Sequence, residues 1–242
     1  MVIAIHQPHF LPWLGYLHRM AHAELFILLD HVQFERRNYQ NRTMIRIDDA
    51  VRWLTVPVLQ RSQKERIVDK RIDNSSEGPR WWGPNHYSTL RHAYRDAGFF
   101  SLYAPELKRL FDTRFSRLTD VNQAMLDFLR EAFYIRTPLA RSSELGVNGA
   151  KAELILNLCK AVGADTLLAG FGGSRRYLDL NEFDAAGVRV VWHDFKHPIY
   201  RQCGSAAFTP GLSALDLLFN CGPQSRAILL GEPVKRESCA AA

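Results

Sequence analysis

A chain of 242 residues is long enough for one α/β domain with a sizeable core, and its 47% hydrophobic and 23% charged composition excludes a disordered protein. No apolar run reaches the roughly 18 residues of a membrane span, and Val2–Ile5, broken by His6-Gln7-Pro8, is too short for a signal peptide, so a cytoplasmic protein is expected. The net charge of +6 and pI near 9.3 favour an anionic partner: a phosphate, nucleotide, acidic sugar, carrier protein or RNA, although no RNP, zinc-finger or helix-turn-helix signature accompanies the charge.

Val2–Ile5 reads as a buried first strand, stopped by Gln7-Pro8. Pro12 opens a helix over 12–23, with Trp13, Leu17 and Met20 on one face, because proline at the first helical position loses no internal bond. Leu25–Leu29 is a second buried strand ending at Asp30, which completes a βαβ unit. Trp53–Leu59 is a further strand, followed by a polar stretch over 60–79. Helices are expected over 80–97 and 103–133, the latter from the spacing of Val121, Met125, Phe128, Leu129 and Ala132. A helix over Lys151–Val162 capped by Gly163 precedes a strand at Asp165–Ala169 and a turn at Gly170–Gly173. Tyr177–Ala186 reads as helix, Val188–Trp192 as strand and Leu212–Phe219 as helix, with one more short helix from Pro223. The fold class expected is α/β: a three-layer, Rossmann-like, mostly parallel sheet with an inserted helical region. A single domain covers 1–231, with 80–133 as a candidate helical subdomain, and 232–242 is a frayed polar tail.

Four segments carry residues suited to chemistry. In open α/β sheets ligands bind beyond the carboxyl ends of the strands. His6, Gln7 and His9 leave the first strand at that edge, and Asp30 and Gln33 leave the second, so imidazoles, amides and a carboxylate are expected to converge. The alternative is that His6 and Gln7 only satisfy backbone groups in a tight loop. Basic residues cluster at Arg36, Arg37, Arg42, Arg46 and Arg52 and again at 61–71. There Tyr39, Asn41 and Arg42 are suited to hold a phosphate or carboxylate, or belong to a plain solvated loop. Gly170–Tyr177 leads into a helix and can present backbone N–H groups to an anion, with Gly173, Arg175 and Tyr177 as binding candidates; it is neither a P-loop nor a full dinucleotide fingerprint. His197 and Tyr200 lie in a loop before an apolar helix whose Asp216 must find a partner, most simply in a network tying that helix to the core.

His18 and His22 stand one helical turn apart, but no recognised ligand set surrounds them and no metal is predicted. Cys159, Cys203, Cys221 and Cys239 are far apart and form no C-x-x-C pair, so reduced, mostly buried thiols are expected.

The stretches HQPHFLPWLGYLHRMAHAELFILLDHVQF at 6–34, NR at 41–42, WLTVPV at 53–58, SSEL at 142–145, GADTLLAG at 163–170, YL at 177–178, HPIYRQ at 197–202 and LSALDLLFN at 212–220 together resemble the WbqC-like family of bacterial proteins. Leu167 and Ala169 stand where that pattern carries a tyrosine and a serine. The resemblance implies a setting in O-antigen, other polysaccharide or natural-product assembly. It is compatible with an acyl- or aminoacyl-transferase that forms an amide or ester bond on an amino sugar or related molecule. In that reading His6 or His9 is the general base, Asp30 its carboxylate neighbour, Gln7 and Asn41 orient substrate, and Arg42 holds an anionic group. The order strand, His/Pro loop with a following glycine, helix, strand is also similar to the HIGH-type nucleotidyltransferases and pantothenate synthetase, although His9, Gly15 and His18 lack the compact His-x-Gly-His. That likeness implies nucleotidyl transfer or ATP-dependent ligation. The sequence does not name the donor; ATP and a carrier-bound acyl group are the candidates, and the non-enzymatic alternative is a factor docking an acyl carrier protein or tRNA.

Overall fold

A computed structural model describes residues 1–78, 81–171, 178–204 and 207–233. Five strands form one parallel sheet: β1 (Val2–His6), β2 (Leu25–Leu28), β5 (Leu139–Arg141), β6 (Thr166–Gly170) and β7 (Arg189–His193), in the spatial order β5-β2-β1-β6-β7. β1 lies at the centre, with Ile3 beside Leu25 on one flank and Leu167 on the other. Because alternate residues of a strand face opposite sides, Ala4, Phe26, Leu28 and Leu168 point into a core shared with α1 (Leu14–Ala21), α4 (Leu118–Ala132) and α7 (Ala214–Cys221). Ile3, Ile27, Leu167 and Ala169 point the other way, onto α5 (Lys151–Ala161) and α6 (Leu180–Ala185). The result is the three-layer, Rossmann-like α/β architecture expected from sequence. Among the described residues no helix is long and apolar enough to cross a membrane.

The region between β2 and β5 holds a separate antiparallel hairpin, β3 (Arg42–Ile47) and β4 (Ala50–Thr55), followed by α2 (Trp82–Ala93), α3 (Phe100–Asp112) and α4. β3 lies within the stretch treated as a basic cluster, and β4 ends four residues earlier than the strand expected over 53–59. The hairpin turns at Asp48-Asp49, both at positive φ (48° and 60°), in the geometry of a two-residue turn that ordinarily announces itself with Asn-Gly. One helix expected over 103–133 is two, because 113–117 leaves the helical path to pair with the preceding chain: Ile72 N donates to Ser116 O (3.1 Å) and Leu118 N to Lys70 O (2.9 Å). Leu107, Phe111, Val121, Met125 and Leu129 of these helices join the same buried cluster as α1 and the sheet, so the helical stretch shares the domain's core. The three-residue β5 is too short to show a period in sequence. Most of the tail expected over 232–242 lies outside the described residues.

Candidate functional site

Strand order fixes where a ligand can enter. From β1 the chain moves to β2 on one side, while β6, entered from the far edge, lies on the other, so the topology reverses between β1 and β6. At such a switch point the loops leaving the two carboxyl ends diverge and open a crevice. A cleft of about 450 Å³ lies there, lined by His6 from the end of β1, Trp13, Tyr16 and Arg19 from α1 and its entry, Gly170 from the end of β6, and His193 from the end of β7.

The loop that delivers these groups is held from three directions. Phe10 N donates to Tyr39 O (3.0 Å), and the hydroxyls of Thr43 and Ser213 both donate to Leu11 O (2.8 and 3.0 Å). Leu11 has a positive φ of 45°, a conformation that a side-chain-bearing residue keeps only when its surroundings impose it. Two glycines make room for the lining side chains. A Cβ on Gly15 would lie 2.2 Å from the Trp13 ring, and one on Gly170 would lie 2.2 Å from Arg19 Nη1. The indole therefore folds back across the first turn of α1, and the Arg19 guanidinium lies against the end of β6.

The cleft sets neutral rings, with the Asp194 carboxylate among its lining, around the buried Arg19 cation. His6 Nδ1 donates to Gln7 O (2.9 Å), which leaves Nε2 as the unprotonated nitrogen of the neutral ring. Burial holds the His6 pKa well below the ordinary histidine value, and the neighbouring His9 and Arg19 push it the same way. His193 is held down to about 4, by burial first and then by His18 and Arg19. The Tyr16 phenol is 1% exposed and its hydroxyl has no hydrogen-bond partner among the described residues; burial raises its pKa, so it remains a proton donor at neutral pH. Behind the cleft His18 Nδ1 and His193 Nε2 share a 2.7 Å hydrogen bond, and His22 stacks on His18 at 4.1 Å. Among the described residues no group of three or more His, Cys, Asp or Glu is arranged to hold a metal ion.

Residues singled out from sequence distribute over several environments. His9 adjoins His6 (ring centroids 4.4 Å apart) and is buried between Tyr16 and Tyr39, stacked at 5.3 and 5.5 Å. It faces a different, water-sized cavity of about 10 Å³, which Asp30 also lines. His6 and His9 thus come together, but the cleft and Asp30 lie on different sides of them. The Asp30 carboxylate is fully engaged in docking the 142–144 turn: it accepts from Ser142 Oγ (3.1 Å), Ser143 N (2.9 Å) and Ser143 Oγ (2.9 Å). Gln7 Oε1 accepts from Gln40 Nε2 (2.9 Å), and Asn41 Nδ2 donates to Val56 O (2.8 Å) within the hairpin. Arg42 stacks 3.9 Å over the Trp53 ring and donates to Arg37 O, and Gln33 Nε2 donates to Gln63 O at the surface. Tyr200 Oη and Gln202 Nε2 each donate to Asp216 Oδ2 at 2.7 Å, forming the network expected to tie α7 to the core, and His197 packs on Phe195 and Tyr200. Gly173, Arg175 and Tyr177 lie outside the described residues.

Tyr16, Arg19 and His193 were not singled out from sequence, whereas Gly170 opens the glycine-rich segment that was. Two signals were available: an arginine one turn beyond Gly15 and Tyr16 on an otherwise apolar helix face, and a histidine directly after a β-strand run.

A family model described as the WbqC-like protein family matches residues 7–228. The chain belongs to the WbqC-like protein family. A member of similar length, titled "Uncharacterized protein Rv1507c", from Mycobacterium tuberculosis, is 30% identical over 226 residues, covering 92% of this chain and 95% of the relative. No solved structure matches this WbqC-like chain.

Proposed function

We propose that this WbqC-like protein is a group-transfer enzyme that moves an acyl or aminoacyl group onto the amine, or hydroxyl, of an anionic small molecule bound in the β1/β6 cleft. The observation that carries the reading is His6. Its Nδ1 proton is committed to Gln7 O, which leaves the Nε2 lone pair to act as a base, and the same cleft holds the buried Arg19 guanidinium and the Tyr16 phenol, whose hydroxyl has no hydrogen-bond partner among the described residues. The donor is a carrier-bound ester or thioester. As the acceptor nitrogen bonds to the carbonyl carbon, His6 Nε2 takes its proton and the carbonyl π-electrons move to oxygen, where the Tyr16 hydroxyl donates a hydrogen bond. Collapse re-forms the carbonyl, breaks the bond to the leaving oxygen or sulfur, and returns the proton to it from His6. Arg19 holds the anionic group of the substrate.

One observation favours a second reading, nucleotidyl transfer or ATP-dependent ligation: the cleft lies at the switch point of a parallel sheet, where nucleotides bind in this architecture.

A thermal-shift screen with phosphorylated amino sugars, nucleotide sugars, acyl carriers and ATP separates the two. The transfer reading expects stabilisation by an amino-sugar acceptor, retained in His6→Ala, with turnover about 100-fold or more lower in that variant. Tyr16→Phe, which keeps the ring packing, should lose turnover as well. Stabilisation by ATP alone, with product formation requiring ATP cleavage, would replace the first reading with the second.

A further inference from the structure

The basic cluster is not consumed by the cleft. Residues 35–71 carry ten Lys and Arg against five Asp and Glu, so this one segment holds +5 of the chain's +6. Two of those acids are already paired, Glu65 with Lys70 and Asp69 with Arg66. Arg36, Arg37, Arg52, Arg61 and Lys64 are exposed and form no ion pair among the described residues. The segment is also folded together. Phe34 N donates to Glu65 O (2.8 Å) and Gln33 Nε2 to Gln63 O (2.7 Å), which sets the 33–39 loop beside the 59–66 loop. Arg42 donates to Arg37 O, which joins the first loop to the hairpin.

An aromatic platform belongs to the same folded segment. Trp53 is 43% exposed on the outer face of β4, the Arg42 guanidinium covers one side of its ring, and the Tyr39 ring meets it in a T-shaped contact at 5.4 Å. Large planar side chains left open to solvent between guanidiniums match what an unpaired base with its flanking phosphates requires. A protein partner fits less well, because docking one takes about 800 Å² per side around an apolar centre. The exposed large apolar side chains of the hairpin are only Val51 and Trp53.

We propose that the β3–β4 hairpin and the loops at 33–39 and 59–66 form a docking surface for single-stranded nucleic acid, with an unpaired base stacked on Trp53 and its backbone tracked by Arg36, Arg37, Arg42 and the cations of the 59–66 loop. The surface stands independently of the chemistry assigned to the cleft.

Fluorescence anisotropy with a short labelled oligoadenylate tests it, with a duplex of the same length, polyglutamate and an acidic acyl carrier protein as competitors. The single strand should bind more tightly than all three. Trp53→Ala should weaken it by about tenfold or more, and Trp53→Phe should retain most of the affinity, since stacking on the ring supplies the preference. Arg36→Ala/Arg37→Ala should flatten the plot of log affinity against log salt by roughly 1.4, the counterion release of two phosphate contacts on a single strand. His6→Ala should bind the strand as the parent does, so failure of the transfer chemistry and failure of this surface give different results. Equal affinity for polyglutamate, no detectable binding, or Trp53→Ala without effect overturns the proposal. Trp53-dependent capture of the carrier protein in preference to the single strand overturns it too, in favour of a protein partner.

Discussion

His9 shows how a single side chain links burial to pH. Ring stacking between Tyr16 and Tyr39 removes it from water, and burial, with Arg19 nearby, lowers its pKa from 6.5 to about 3. The folded ring stays neutral where the unfolded one takes up a proton. Its contribution to stability is therefore complete above pH 6.5 and is lost as the pH falls from there towards 3. One such group makes stability fall by about 1.4 kcal/mol per pH unit across that window. Replacing His9 with Phe keeps an aromatic ring in the stack and removes the titration. Urea unfolding at pH 7 and pH 5 should therefore show a smaller acid loss in His9→Phe than in the parent, by up to that amount per unit. Equal losses in the two proteins would mean that His9 takes up its proton in the fold as readily as in the unfolded chain. His6, also held down by burial, adds to the same acid sensitivity, and its neutrality at working pH suits it to accept a proton in the proposed transfer.

At the level of elements, polar side chains fix how the short pieces dock. The turn at 142–144 follows β5, a three-residue edge strand with little pairing of its own. Asp30 holds that turn with three hydrogen bonds, one from a backbone N–H and two from hydroxyls, while His31 Nδ1 lies 2.6 Å from Ser142 Oγ. Asp30→Ala would leave Ser142, which is 1% exposed, short of a partner. We expect a loss of about 2–3 kcal/mol in urea unfolding, the cost of buried groups left unpaired, together with faster amide exchange at Ser143. A loss below about 0.5 kcal/mol, within the range of an ordinary surface substitution, would show that β5 is held by packing instead. The hairpin makes a related point. Its turn at Asp48-Asp49 is legible as a turn only once the pairing of Arg42 with Thr55 and Met44 with Trp53 is known. Arg46, counted from sequence in the basic cluster, is buried and donates to the backbone of Cys203 and Ala207.

For the whole molecule, the cleft joins groups from β1, α1, β6 and β7, so a ligand there cross-links segments that are far apart in the chain. A small molecule present at about 100 times its Kd adds about 2.7 kcal/mol of stability, which in a chain of this size raises Tm by roughly 5–10 °C. Tyr16→Phe should reduce that shift and Trp53→Ala should leave it unchanged; the reverse pattern would move the small-molecule site to the hairpin. The amino-acid sequence by itself determined the period of the elements, the βαβ start, the parallel three-layer class and the family, because these rest on local spacing and on a long contiguous motif at 6–34. It also brought out His6 and His9 at the end of β1, since strand ends are visible in the hydrophobic pattern. The pairing of β1 with β6, and with it the side of β1 on which the cleft opens, was decided only by the tertiary structure. Two parallel strands carry no mark of which neighbour each will take, and that choice turned the site away from Asp30 and towards Arg19, Gly170 and His193.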